Sequence, residues 1–163
     1  MKKVLITGAS KGIGFELAKE FARSESCMLY LVARNKKNLE HLRNEIQKIN
    51  PKIVSYLLAI DLSLEDSVEK LISDIKQKFG HLDIVVNNAG TLLKNDFNDI
   101  SKDELEYTFN INFFIPFLLT QKTINLLSEN AHTVFISSMG GVNGTKKFPG
   151  LSAYSSSKGA LIT

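Results

Sequence analysis

The chain has a single cysteine, Cys27, among its 163 residues, so it cannot build an internal disulfide framework or a thiolate metal cluster. Its 20 basic residues exceed the 17 acidic ones only slightly and form no long run, which does not indicate a nucleic-acid partner. A long apolar run is also missing, since the opening "MKKVLITGAS" soon reaches a glycine. We therefore expect a cytoplasmic protein with no metal centre, no membrane association and no nucleic-acid partner.

Short apolar runs alternate with longer segments in which apolar residues recur at helical spacing. The runs are nearly continuous, which predicts strands covered on both faces, at 3–7, 28–33, 53–60, 82–87 and 132–137. The helical segments are 13–24, 36–49, 64–79 and 101–129. Residues 61–63 offer caps for the third helix, and Pro116 predicts a break or kink in the fourth. The alternation predicts a doubly wound parallel α/β fold.

A glycine-rich turn follows the first predicted strand. Gly8, Gly12 and Gly14 permit a tight turn and close approach of a ligand, and the helix from Ile13 directs its first amides at that ligand. This arrangement favours an anion such as pyrophosphate, although a plain strand–helix turn is the alternative. No Gly-Lys-Ser/Thr follows, which argues against a nucleotide triphosphatase loop.

Tyr154 and Lys158 are four residues apart, a spacing that puts two side chains on one helix face. The ordinary pKa of tyrosine, about 10, is too high for efficient proton exchange near neutral pH. A neighbouring ammonium stabilises the phenolate, so such a pair is a candidate proton donor to a carbonyl oxygen. Taken alone, the pair is also common on helix surfaces.

Three segments together resemble the short-chain dehydrogenase/reductase family. Residues 7–14, "TGASKGIG", are similar to its cofactor motif, 87–90, "NNAG", to its second hallmark, and Tyr154-x-x-x-Lys158 to its third. The resemblance covers the chain from the first predicted strand onward. It implies a Rossmann-like sheet of five strands in the order 3-2-1-4-5. It also implies a cofactor contacted by Gly8, Ser10, Lys11, Gly12, Ile13, Gly14, Asn88, Ala89, Gly90, Tyr154 and Lys158.

The residues after the second predicted strand favour NADP over NAD. Relatives that use NAD carry an acidic residue there for the ribose 2′-hydroxyl, whereas this chain has Ala33 and Arg34. A carboxylate would repel a 2′-phosphate, and a guanidinium can bind it through two hydrogen bonds. Lys11 adds a second cation, although alone it could be a solvated surface charge. The resemblance matches Asp61 to the adenine-contacting carboxylate of the family, and a helix cap is its alternative role.

The resemblance also implies two further catalytic residues. Ser138, after the fifth predicted strand, would donate a hydrogen bond to the substrate oxygen. Its spacing to Tyr154 is long for the family, which leaves Ser137 as the alternative, and we choose Ser138. Asn112 matches an asparagine that holds a water linking the lysine to solvent, and Asn110 is the poorer match.

These residues predict hydride transfer between NADP(H) and a small-molecule carbonyl or secondary alcohol. The family continues beyond the Tyr–Lys motif, with further strands and a substrate-covering loop. We therefore expect 1–163 to be a single dinucleotide-binding domain that is C-terminally incomplete and that forms a homo-oligomer when completed. The alternative is a catalytically inactive nucleotide-binding remnant. On either view, we expect these residues alone to have low stability, to self-associate through an exposed fifth strand and to show no carbonyl reduction.

Overall fold

A five-stranded parallel sheet forms the centre of the protein in a computed structural model that describes residues 1–23 and 26–163. The strand order is β3-β2-β1-β4-β5, and each neighbouring pair is parallel. The strands are β1 (Lys2–Thr7), β2 (Cys27–Ala33), β3 (Val54–Ala59), β4 (Leu82–Asn87) and β5 (Leu127–Phe135). The predicted Rossmann-like α/β class and the predicted strand order are confirmed.

Helices cover both faces of this sheet. They are α1 (Gly12–Arg23), α2 (Lys36–Ile49), α3 (Ser67–Lys78), α4 (Lys102–Phe109), α5 (Ile115–Thr123) and α6 (Ser152–Ile162). Alternate residues of β1 point to opposite faces, so Val4 and Ile6 pack in the apolar cluster under α1 and α2. Leu5 packs instead in the cluster under α3 and α5. No helix among the described residues is long and apolar enough to cross a bilayer.

The first four strands lie within one residue of their predicted bounds. The predicted end of the first helix, at residue 24, lies outside the described residues. The third helix begins at Ser67, so the prediction of caps at 61–63 is wrong. The chain makes an extra turn there, in which Leu64 N–H donates to Asp61 O, and Asp66 takes a left-handed conformation (φ 58°) before the helix starts.

The helix predicted over 101–129 is interrupted. A five-residue π-helical turn, Asn110–Phe114, separates α4 from α5, and Ile115 N–H donates to Asn110 O across it. The predicted break therefore occurs just before Pro116, which has no N–H to donate to the Asn112 carbonyl four residues earlier. After α5 a short 3-10 turn, Ile124–Leu126, ends the helical segment, and the prediction of helix to residue 129 is wrong.

The fifth strand begins five residues earlier than predicted and ends two residues earlier, at Phe135. Its amino-terminal part pairs with β4 through a register shift between Leu82 and Ile84, so residues with helical periodicity join the sheet instead. Within the described residues β5 is an edge strand, as predicted, and about 40% of Val134 and Phe135 is exposed. Its end carries the chain to Ser137 and Ser138, on the side where β1 leads into the glycine turn.

Candidate active site and cofactor groove

A groove of about 590 Å³ opens at the carboxyl ends of the central strands. It is lined by the glycine turn after β1, the end of β2, the segment after β4 and the start of α6. The predicted site residues in its lining are Gly8, Ser10, Lys11, Gly12, Ile13, Arg34, Asn88, Ala89, Gly90, Tyr154 and Lys158. The structure therefore brings the three sequence motifs to one cavity. Four other predicted site residues lie outside that lining: Gly14, Asp61, Asn112 and Ser138.

The glycine turn is fastened to the segment after β4. Thr7 Oγ1 accepts hydrogen bonds from the backbone N–H groups of Asn88 and Ala89 at 3.1 and 3.0 Å. Asn88 Nδ2 donates to Thr7 O and Gly8 O at 2.9 and 3.1 Å. A Cβ on Gly14 would lie 2.6 Å from Gly8 O, and one on Gly8, at φ +66°, 2.8 Å from Ala89 Cα. Only glycine permits this approach, which forms the floor of the groove.

Two exposed cations line the groove. Arg34, just after β2, has its Nη1 3.8 Å from Asp61 Oδ2 and donates to Tyr107 Oη at 3.3 Å. Lys11 lies in the glycine turn. Partial burial of Asp61 opposes its ionisation, but hydrogen bonds from Ser63 and the charge of Arg34 outweigh it and lower its pKa. The Asp61 carboxylate thus accepts hydrogen bonds from Ser63 and forms an ion pair with Arg34.

Lys158 is a buried cation that lines the same groove. Only 5% of it is exposed, and this burial lowers the pKa of its ammonium. Its Nζ donates to Ile136 O at 2.8 Å. A Cβ on Gly90 would stand 3.5 Å from that Nζ, an ordinary contact distance, and 3.2 Å from Asn112 Oδ1. Tyr154, one turn earlier on α6, lines the same groove.

Asn112 is fully buried in the π-helical turn. Its side chain pairs with the backbone of Thr91, donating to Thr91 O and accepting from Thr91 N–H, both at 2.9 Å. Nδ2 also donates to Ser157 Oγ at 3.0 Å, and that hydroxyl donates to Tyr154 O at 2.8 Å. The Asn112 side chain therefore joins α6 to the segment after β4. The Asn110 carbonyl accepts the π-helical hydrogen bond.

The two serines after β5 are used differently. Ser137 Oγ donates to Lys158 O at 3.2 Å, which fixes the strand end to α6. Ser138 Oγ accepts from Gly140 N–H at 3.1 Å and caps a short 3-10 turn, Met139–Gly141. Among the described residues, the Ser138 hydroxyl hydrogen has no acceptor, so it is the one available to a ligand. Ser137 nevertheless lines the groove, whereas Ser138 stands beside it.

Three residues with defined contacts at the site are not among the predicted site residues. Thr7 is the first residue of the 7–14 motif, and Thr91 directly follows "NNAG", so these positions were the available signal. Tyr107 is 73 residues from Arg34, and no local pattern connects the two. In the described part of the chain, no group of three or more His, Cys, Asp or Glu side chains is placed to hold a metal ion.

The strand order and the groove at the carboxyl ends of the strands place the protein among Rossmann-like α/β folds. The sequence model of the family described as short chain dehydrogenase matches residues 2–163, and the chain belongs to this family of oxidoreductases. Family membership supports an enzyme and does not favour the alternative of an inactive remnant.

Two curated relatives illustrate the sequence similarity. Human (Homo sapiens) 17-beta-hydroxysteroid dehydrogenase 13 is 32% identical over 98% of this chain and 52% of its own length. Sepiapterin reductase of Chlorobaculum tepidum is 34% identical over 95% of this chain and 65% of its own length. The chain thus spans between about half and two thirds of the length of these relatives.

Two solved structures share the fold and differ in the bound cofactor. An alcohol dehydrogenase from the archaeon Thermococcus sibiricus, complexed with 5-hydroxy-NADP, is 27% identical with a TM-score of 0.89, over 98% of this chain and 66% of its own. A xylitol dehydrogenase bound to NAD⁺ is 26% identical with a TM-score of 0.86, over 99% of this chain and 61% of its own. The shared fold therefore does not by itself decide between the two cofactors.

Proposed function

We propose that the protein transfers hydride between NADP(H) and a small-molecule carbonyl or secondary alcohol. The observation that carries this proposal is one groove lined by the glycine turn, by Lys11 and Arg34, and by Tyr154 with Lys158. When bound, the nicotinamide would supply or accept the hydride. The groove suits a dinucleotide, because α1 begins in its lining at Gly12, where the space for a Cβ is open and a pyrophosphate would meet the first amides of the helix.

The preference for NADP over NAD is supported by the charges beside β2. That strand ends in Ala33 and Arg34, with no carboxylate in the lining at this point. Asp61, the nearby acid, lies outside the groove lining and interacts with Ser63 and Arg34. A 2′-phosphate would therefore meet two cations, whereas a carboxylate at the end of β2 would repel it.

The proton would pass through Tyr154. In reduction, hydride adds to the carbonyl carbon while the Tyr154 hydroxyl gives its proton to the oxygen; oxidation reverses both transfers. Lys158 is a cation with little solvent around it, so it stabilises the phenolate more strongly than an exposed lysine would. Ser138 would donate its hydroxyl hydrogen to the substrate oxygen. Asn112 would act by holding α6 in place through Ser157.

Oxidation of NADPH, followed at its absorbance band, tests the proposal against a panel of ketones and aldehydes. Turnover with NADPH that exceeds turnover with NADH would support it. Tight binding of NADPH without turnover of any panel member, in a form of the protein as long as its relatives, would contradict the catalytic part. The cytoplasmic location and the homo-oligomeric state stay predictions.

A further inference from the structure

We infer that Tyr107 is a positioning residue that fixes the Arg34 guanidinium for a 2′-phosphate, an inference that rests on the proposed use of NADP(H). Tyr107 lies on α4 and Arg34 at the end of β2, and both line the cofactor groove. The Arg34 Nη1 donates to Tyr107 Oη at 3.3 Å. The phenol therefore reaches the cation from the opposite wall of the groove.

The contact matters because, among the described residues, only it and a long ion pair with Asp61 hold the head group of Arg34. Its side chain is 66% exposed, and an arginine loses considerable rotamer freedom when a ligand fixes it. Its other partner, Asp61 Oδ2, lies 3.8 Å from the same Nη1, beyond hydrogen-bond distance. Tyr107 is thus the described residue that accepts a hydrogen bond from the guanidinium, and it holds the head group over the groove before a ligand arrives.

The hydrogen bond leaves the phosphate-binding capacity of Arg34 intact. A guanidinium has five N–H donors, and both described contacts of this side chain use Nη1. The edge formed by Nε and Nη2 stays available for a bidentate contact with phosphate oxygens. The phenol is a neutral acceptor, so it orients the cation without neutralising it. An Arg34 guanidinium that is oriented and keeps its positive charge favours a 2′-phosphate over a 2′-hydroxyl.

Tyr107 is itself held on a fixed support. Ser101 and Glu104 form a reciprocal capping box at the start of α4, with Ser101 Oγ accepting from Glu104 N–H and Glu104 accepting from Ser101 N–H. Five residues after Tyr107, the buried Asn112 anchors the other end of the segment to Thr91. A tyrosine on a helix secured at both ends can restrict its partner, which a loop residue would not.

Isothermal titration with adenosine 2′,5′-bisphosphate and with AMP, which differ only in the 2′-phosphate, tests the inference at the adenosine end of the site alone. The first ligand carries the 2′-phosphate and the second does not. The proteins are the wild type, Tyr107→Phe, Arg34→Ala and the double variant, with Tyr56→Phe as a control that removes a hydroxyl from β3, away from the groove. A thermal melt of each variant serves to check that the variant is folded.

We expect Tyr107→Phe to weaken binding of the 2′,5′-bisphosphate by about 2- to 10-fold, the effect of losing one hydrogen bond from an exposed side chain, and to leave AMP binding unchanged. In the Arg34→Ala background the same substitution should have no effect, because its target is gone. An equal loss with and without Arg34 would overturn the inference and show that Tyr107 contacts the ligand directly. Unchanged affinity of folded Tyr107→Phe would also overturn it. A wild type without preference for the 2′,5′-bisphosphate would instead contradict the proposed use of NADP(H).

Discussion

The Asn112 amide donates a hydrogen bond to the Ser157 hydroxyl at 3.0 Å, and Ser157 stands directly before Lys158 on α6. The π-helical turn and the helix that carries the Tyr–Lys pair are therefore joined through one buried side chain. The same side chain pairs with Thr91, just after the "NNAG" segment. Three segments distant in sequence thus depend on a single amide for their relative positions.

Asn112→Ala is expected to destabilise the protein by about 3 kcal/mol, because it removes three hydrogen bonds to Thr91 and Ser157, each worth about 1 kcal/mol. Urea denaturation followed by circular dichroism measures this change. Asn110→Ala, on the same turn, is the matched control, since its described hydrogen bond uses the backbone carbonyl, which alanine keeps. Equal losses in the two variants would mean that the Asn112 side chain has no special structural role.

Arg34→Asp is expected to weaken NADPH binding by about 10- to 100-fold, since it replaces a charge-assisted contact with like-charge repulsion. NADH binding should change little, so the preference of the protein for NADPH over NADH should narrow or invert. Titration of the fluorescence of each reduced cofactor gives both affinities. Lys36→Asp reverses an exposed charge two residues away, outside the groove lining, and should leave the preference intact. Equal affinity of the wild type for the two cofactors would refute the proposed preference.

Tyr154→Phe is expected to lower turnover by about 100-fold or more, because the proton donor is lost while the ring remains. The dissociation constant for NADPH should stay close to that of the wild type. Steady-state kinetics and cofactor titration are measured on a form of the protein that turns over substrate, with Tyr56→Phe as the control. Substantial activity in Tyr154→Phe would show that another group supplies the proton.

Gly14→Ala is expected to destabilise the protein by about 2 kcal/mol and to impair NADPH binding, because its methyl group would press on the glycine turn. A Cβ there meets Asn88 Nδ2 at 2.5 Å and Gly8 O at 2.6 Å. Gly159→Ala is the matched control on α6, where the nearest atom, Gly141 O, lies at 3.4 Å and permits ordinary contact. Thermal melts that show equal destabilisation would count against the close packing of the turn.

Asp83 predicts an acid-sensitive contribution to stability. Hydrogen bonds from Ser128 Oγ and from Lys3 N–H, at 2.7 and 2.8 Å, hold the pKa of Asp83 below its ordinary value. Because the folded-state pKa is the lower one, the contribution is complete above the unfolded pKa of about 3.9 and is lost as pH falls through the folded value.

We expect Asp83→Asn to lower the unfolding free energy by about 1 kcal/mol at pH 7, with a smaller difference from wild type near pH 3. Denaturant titrations at the two pH values measure this. Asp96→Asn, which removes an exposed carboxylate, is the control. A difference between wild type and Asp83→Asn that does not change with pH would exclude this carboxylate as the source.

The parts of the fold that sequence predicted well are those fixed by local pattern. Continuous apolar runs such as "VLI" in β1 and helical spacing in α2 leave few alternatives, and the glycine turn is read from residue types alone. The prediction of helix at 127–129 is wrong because pairing with β4 overrides the helical periodicity there. The contact of Tyr107 with Arg34 depends on tertiary geometry that no spacing in the sequence expresses.

The hydrogen bonds that Thr7 Oγ1 accepts from Asn88 and Ala89 have a consequence for the order of folding. The glycine turn lies within the first fifteen residues, yet its floor is supplied about eighty residues later, at the end of β4. A ribosome extends a chain at about 5–20 residues per second, so during synthesis the turn waits several seconds before its supporting segment emerges. A nascent chain without β4 would therefore have the glycine motif but no cofactor site. Its affinity for the cofactor should appear abruptly once β4 can pair with β1.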